Sequence, residues 1–105
     1  MRENGLNKKI LDFIPRGKKN AISVKRLAEI SGARSESNLR GDIAELRKAG
    51  ELICSSPAGY YRPATRAELD DFIKRMKAHA IGVFQAIASA QKAQKEMEGQ
   101  QSLDL

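Results

Sequence analysis

Four residues near the middle of the chain, Ser37, Asn38, Arg40 and Gly41, combine hydrogen-bonding side chains with a position that has no side chain. Asn can form two hydrogen bonds with the edge of an adenine, and Arg can do the same with a guanine. Gly allows a backbone to come close to a partner, although it costs a helix about 1 kcal/mol relative to Ala. Residues of these types on one face have the chemistry needed to contact base edges in a groove of DNA.

A helix over residues 36–49 would present these four residues together. Ser35 is a good N-terminal cap, and Gly50 fits the position that follows the last turn. Three apolar residues of this segment fall within a narrow arc of the helix and are expected to face the core: Leu39, Ile43 and Leu46. The hydrogen-bonding residues lie on the opposite, outward face.

The excess of positive charge lies in the same part of the chain. Residues 1–63 contain 13 Lys and Arg against 7 Asp and Glu, whereas residues 64–105 contain 6 of each. A basic N-terminal part is predicted to bind a polyanion. The basic residues expected to contact phosphates are Lys18, Lys19, Lys25, Arg34 and Arg62.

The segments before this helix also show clear signals. A first helix should end before Pro15, with an inner face made of Leu6, Ile10, Phe13 and Ile14. Residues 21–23 can add one short strand. Ser23 can cap a helix over residues 24–31, with an inner face made of Val24, Leu27, Ala28 and Ile30. Gly32 fits the left-handed position at its end.

After residue 50 the apolar period changes to that of strands. ELICSS and GYYRP are predicted to form a hairpin, with Pro57 early and Gly59 late in the turn. Two helices joined by the short turn SGAR and followed by a hairpin are the order found in a winged helix.

The stretch ISVKRLAEISGARSESNLRGDIAELRKAGELI, together with CSSPAGYYRP, resembles the winged helix-turn-helix DNA-binding proteins of bacteria, and more loosely the small ones carried by prophages. The resemblance covers about residues 6–64. It implies a mainly α fold with a small β-hairpin, followed by a long C-terminal helix. It also implies a protein that binds double-stranded DNA and regulates transcription of a phage or mobile element.

The last third of the chain predicts a long amphipathic helix. Thr65 and Glu68 match a capping box, and an apolar seam follows at coiled-coil spacing. The seam residues are Leu69, Ile73, Met76, Ala80, Val83, Ile87, Ala90, Gln94 and Met97. The seam has two possible partners, the chain's own N-terminal helix and a second copy of the chain. Its first part, from Leu69 to Met76, is expected to pack on the winged helix, and the rest favours a homodimer through Met76, Ala80, Val83, Phe84 and Ile87. Alternatively, a break at Gly82 would fold the second half of the helix back as a hairpin.

The final residues QQSLDL follow Gly99, at which the helix is expected to end. Gln100, Leu103 and Leu105 resemble the short peptides by which bacterial proteins bind the polymerase sliding clamp, although the peptide ends in Leu where the strongest form has Phe. The alternative is an inert chain end. The predicted division is therefore a DNA-binding domain over residues 1–64, a dimerisation helix over 65–98 and a flexible tail over 99–105.

Several classes of protein are not indicated. No apolar run approaches the roughly 20 residues of a membrane span, no signal-peptide pattern is present, and a single Cys excludes an internal disulfide. Cys54 is expected to be a core residue and not a nucleophile, because no His lies near it in sequence. Asp70 and Asp71 lie in the first turns of the long helix, where their charges favour the helix dipole, so they need no catalytic role. The expected protein is cytoplasmic and not an enzyme, with no cofactor, no metal and no small-molecule substrate.

Two other functions remain open from the sequence. Acidic residues lie on or beside the outward face, namely Glu36, Asp42 and Glu45, and the hairpin tip SSPAG has no basic residue. A winged helix with such features can bind protein and act as an adaptor. The other alternative is a replication-associated accessory protein, which would bind DNA and recruit the sliding clamp through its tail.

Overall fold

The structure, a computed structural model, describes residues 9–104, and for residues 100–104 it describes the backbone alone. The helices are α1 (Val24–Ser31), α2 (Glu36–Lys48) and α3 (Arg66–Asp104), and a 3-10 turn covers Lys18–Asn20. Strands β1 (Cys54–Ser56) and β2 (Gly59–Tyr61) form one antiparallel hairpin. The prediction of a mainly α chain with a small hairpin and a long C-terminal helix is confirmed. Within the described residues, none of these helices has both the length and the apolar character needed to cross a membrane.

Helix α1 has the bounds and the caps that its sequence predicts. The Ser23 hydroxyl oxygen accepts a hydrogen bond from the backbone N–H of Arg26 at 3.1 Å. At the other end, Gly32 adopts a left-handed conformation with φ of 76°. Leu27 and Ala28 are buried, as expected for the inner face.

Helix α2 is likewise defined by local chemistry at both ends. The Ser35 hydroxyl oxygen accepts a hydrogen bond from the backbone N–H of Asn38 at 3.0 Å. The helix ends one residue before the predicted end, in a Schellman motif in which the N–H of Glu51 donates to the carbonyl oxygen of Leu46 at 3.0 Å. The predicted inward residues are all buried: Leu39, Ile43 and Leu46.

The hairpin is shorter than the two predicted strands. Cys54 pairs with Tyr61, and Ser56 pairs with Gly59 across a two-residue turn. Residues 51–53 were expected in the first strand but lie outside it, because Glu51 completes the end of α2. A third segment joins the hairpin at Ile22, in the region predicted as a short strand.

Gly59 lies where the backbone of Ile22 comes close to the hairpin. Ile22 and Tyr60 exchange two backbone hydrogen bonds of 2.9 and 2.8 Å. A Cβ atom added to Gly59 would stand 1.9 Å from the carbonyl oxygen of Ile22, and Gly59 has a φ of 137°. Only glycine fits this position, for reasons of both space and backbone conformation.

The segment before Pro15 departs in part from its prediction. Residues 9–11 are helical, and Ile10 and Ile14 are buried. Phe13, which was predicted to face inward, is 38% exposed, while Leu11 packs against the core instead. The helix gives way to a turn at residue 12, so Phe13 no longer follows the helical period. Leu6 lies outside the described residues.

The core is built from the segment before Pro15, from α1 and α2, and from residues 53 and 60 in and before the hairpin. Its buried members are Ile10, Ile14, Leu27, Ala28, Leu39, Ile43, Leu46, Ile53 and Tyr60. Tyr61 is fully buried as well. All large members are aliphatic or tyrosine, which agrees with a chain that contains no Trp.

Helix α3 begins as predicted and is longer than predicted. The N–H of Glu68 donates to the Thr65 hydroxyl oxygen at 3.2 Å, which confirms the cap. The helix shows no break at Gly82 and continues through Gly99 to Asp104, so the predicted end at Gly99 is wrong. One glycine weakens a helix by only about 1 kcal/mol. The chain forms two compact units that divide between Phe72 and Ile73.

Candidate nucleic-acid interface

The four residues that suggested base recognition lie together on the exposed face of α2. Ser37, Asn38, Arg40 and Gly41 are all exposed. Because α2 buries its opposite face in the core, its orientation within the first unit is fixed. The structure therefore presents donors, acceptors and a bare backbone on one rigid surface, as the sequence predicted.

Asn38 is partly engaged in the cap of α2. Its side-chain oxygen accepts a hydrogen bond from the Ser35 hydroxyl at 2.9 Å. A carbonyl oxygen can accept two hydrogen bonds, and the NH₂ group of an Asn side chain carries two donors. Asn38 can therefore pair with a base edge while it keeps its role in the cap, and the cap holds its side chain in place.

Arg40 makes an ion pair within its own helix. Its guanidinium lies 3.7 Å from a carboxylate oxygen of Glu36, one turn earlier, and both side chains are about half exposed. An exposed pair at this spacing contributes only about 0.3–0.5 kcal/mol. Arg40 can exchange Glu36 for another partner at small cost. Glu36 is thus an easily displaced counterion of Arg40.

Gly41 has no packing role within the described part of the chain. A Cβ atom added there would meet nothing within 4 Å, and its φ is not positive. Ala at this interior position of α2 would favour the helix by about 1 kcal/mol. Within the described residues, packing therefore gives no reason for glycine at this site, and the bare backbone leaves room for a partner to approach closely.

The predicted phosphate-binding residues are not equivalent in the structure. Lys19, Lys25 and Arg34 are exposed, and they form no ion pair within residues 9–99. Lys18 instead lies 3.5 Å from Asp71 of α3, and its backbone N–H donates to the Glu68 carboxylate. Lys18 therefore helps to join the 3-10 turn to the first turns of α3.

Arg62 is also engaged in structure. Its guanidinium lies 3.4 Å from Glu51, and its side chain is 38% exposed. Its backbone N–H donates to the carbonyl oxygen of Pro15, and its own carbonyl oxygen accepts from Gly17, both at 2.7 Å. Arg62 thus joins the hairpin to the loop before α1, and of the predicted DNA contacts it has the clearest structural role.

Arg47 supports the site and was missed by sequence reasoning. Its Nε–H donates to the carbonyl oxygen of Ile53 at 2.8 Å, and its guanidinium lies over the rings of Tyr60 and Phe72 at 5.9 and 5.2 Å. Burial lowers the pKa of this guanidinium below its usual value, while the Coulombic influence of Tyr60 and then Cys54 raises it. Arg47 therefore connects α2, the hairpin and α3. No pattern within α2 marks it, because its partners lie outside this helix.

The surface between the turn and α2 is mixed in charge. Arg34, Asn38 and Asp42 line a depression there, together with Ile10 and residues 31–33. Within the described residues, no three His, Cys, Asp or Glu side chains come close enough together to hold a metal ion.

The residues predicted for dimerisation and for the tail lie in α3. The predicted dimer residues are all exposed: Met76, Ala80, Val83, Phe84 and Ile87. The backbone of Gln100 and Leu103 belongs to the last turns of α3, and Leu105 lies outside the described residues. Binding of this segment to a sliding clamp stays a prediction.

Comparisons with protein-family models, with curated proteins and with solved structures found no match to this chain. Its class is therefore defined by its own geometry: a small helical unit with a β-hairpin, followed by a long helix. Within that unit, hydrogen-bonding residues and a bare backbone position share the exposed face of α2. Function has to be inferred from this surface.

Proposed function

We propose that the chain binds duplex DNA through the exposed face of α2, with residues 9–64 acting as a winged helix-turn-helix, and that it regulates transcription. The observation that carries the proposal is Gly41, a helix-interior glycine with open space around it, beside Asn38 and Arg40. A helix that enters the major groove needs hydrogen-bonding groups and close backbone approach on the side that meets the bases.

The energies favour recognition of a base by Arg40. Leaving Glu36 costs about 0.3–0.5 kcal/mol, whereas a good bidentate contact with a base discriminates by about 1–3 kcal/mol. The exchange is therefore favourable when a guanine lies within reach. Glu36 would also repel phosphates and so reduce the attraction of this face to the DNA backbone. The free energy that Arg40 gains on binding therefore depends on contact with a correct base. Such a balance favours sequence-specific binding over general attraction.

Lys19, Lys25 and Arg34 supply the positive charge that general attraction to phosphates requires. Each cation that neutralises a phosphate steepens the dependence of affinity on salt. Lys18 contributes less, because Asp71 already neutralises it in part. We therefore expect replacement of Lys25 or Arg34 to weaken binding to every duplex, and replacement of Lys18 to have a smaller effect.

The test is selection of bound sequences from a random duplex library by the purified full-length protein. The wild type should enrich a defined motif, while Asn38→Ala and Arg40→Ala should lose the preference at one or more positions of it. Lys25→Ala should keep the motif and lower the affinity. Lys92→Ala, which removes an exposed charge from the second unit, serves as the control and should change neither.

Two outcomes would contradict this function. Binding that responds only to salt and shows no motif would favour an accessory role in replication over regulation. Absence of duplex binding at low salt, with intact fold, would exclude DNA as the partner of this face and favour a protein-binding adaptor.

A further inference from the structure

The second compact unit carries large apolar side chains that remain exposed. Between residues 73 and 99, all of which belong to α3, every residue except the half-buried Arg75 is exposed. Met76, Val83 and Ile87 are between 42 and 45% exposed, and Phe84 is 69% exposed. With Ala80 between them, Met76, Val83 and Ile87 recur at four and three along the helix, which is the spacing of a two-helix seam, and Phe84 flanks that seam.

We propose that this segment pairs with the same segment of a second copy of the chain in an antiparallel coiled coil centred on Gln85. This inference does not depend on DNA binding by α2. In such a pair, each a position of the heptad faces a d position of the partner helix. The facing pairs are then Ile73 with Met97, Met76 with Gln94, Ala80 with Ala90, and Val83 with Ile87.

The sizes of the facing residues agree along the seam. Two alanines meet, two β-branched residues meet, and the pairs nearest the ends of the seam each contain Met, which adapts to its surroundings. Ala86 and Ala93 lie at the flanking g positions, so the helices can approach closely on that side. In a parallel pair each seam residue would face the same residue of the other copy, so the sizes would match there too. Residue size therefore does not distinguish the two orientations.

The charged residues beside the seam favour the antiparallel orientation over the parallel one. Between residues 73 and 99, Lys77 and Glu98 are the charged residues at the flanking e and g positions. In the antiparallel pair, Lys77 of one copy lies beside Glu98 of the other, and symmetry repeats the contact. In a parallel pair, the flanking partners of these two residues would be Phe72 and Ala93, so both charges would lack a partner across the seam.

The orientation can be measured by distances between spin labels in the full-length protein, without DNA. In a Cys54→Ala background, a label is placed at Lys74→Cys or, as the matched control, at Gln85→Cys. In the antiparallel pair, residue 74 of one copy faces residue 96 of the other. The two labels at position 74 are then separated along the axis by about 33 Å, the rise of 22 residues at about 1.5 Å each. The Gln85 labels should lie at the same level. Short distances at both sites would overturn the proposal in favour of a parallel pair.

Association itself is tested by sedimentation with charge exchange. Lys77→Glu should raise the Kd of the dimer roughly three- to tenfold, because two ion pairs become two repulsive pairs. The double variant Lys77→Glu with Glu98→Lys should restore the wild-type Kd. A wild-type chain that stays monomeric at high micromolar concentration would overturn the proposal, as would a double variant no tighter than the single one. Failure of DNA binding would affect none of these readouts.

Discussion

Replacement of Gly41 by Ala separates what α2 needs for folding from what it needs for binding. The added Cβ atom meets nothing within 4 Å in the described structure, and the position has no positive φ. Ala therefore adds no clash and favours the helix, so the free energy of unfolding should rise by about 1 kcal/mol. For a domain of this size that corresponds to an increase in Tm of about 4–8 °C.

The same substitution should weaken DNA binding. If the backbone at Gly41 approaches the floor or wall of a groove, one methyl group holds the helix away and loosens the contacts of Asn38 and Arg40. We expect a loss of about 1–3 kcal/mol, comparable to one good base contact. The measurements are thermal unfolding and titration of a selected duplex with the same protein samples.

Gly82→Ala provides the matched control for this experiment. Gly82 also lies in a helix interior with nothing within 4 Å of an added Cβ atom, but it belongs to the second unit. This substitution should favour the helix without changing DNA affinity. If Gly41→Ala stabilises the protein and binds the duplex as tightly as the wild type does, the inference from Gly41 is refuted.

Four further predictions concern the charge, the fold and the chain end. Glu36→Gln should tighten duplex binding several-fold in a titration, because it removes both a competing partner of the arginine and a charge that repels phosphate; Glu29→Gln, on α1, should do so less. Gly59→Ala should destabilise the protein by at least about 3 kcal/mol in chemical unfolding, through strain and lost hydrogen bonds, and an unchanged midpoint would contradict the close approach of the two backbone segments. Arg47→Met should cost about 2–4 kcal/mol in the same assay, because a partly buried carbonyl loses its donor and two rings lose a cation. A peptide of residues 99–105 should bind purified sliding clamp with a Kd below about 100 μM, and no binding at that concentration would make the chain end inert.

The sequence predicted the helices around the site because their ends depend on local chemistry. Ser23 and Ser35 accept hydrogen bonds from the first turn of the helices that follow them, and Gly32 has the backbone conformation that ends α1. These contacts join residues three to five positions apart, so spacing alone was enough to predict them. The outward face of α2 followed directly from the position of its buried face.

Contacts between distant segments could not be predicted in this way. Arg47 lies over the rings of Tyr60 and Phe72, and nothing in the local pattern distinguished it from the other basic residues of α2. The ion pair between Lys18 and Asp71 joins segments more than 50 residues apart. These pairings decide which basic residues remain available to a partner, so the electrostatics of the site needed the structure.

Residue-resolved NMR of the full-length protein during titration with a selected duplex tests the central claim most directly. With 105 residues, backbone amide signals can be followed individually. We predict that the largest changes occur at residues 34–41, with smaller changes at Lys19 and Lys25 and none at residues 85–95. Changes concentrated in the hairpin or in α3, with residues 37–41 unaffected, would contradict the assignment of the α2 face as the surface that binds DNA.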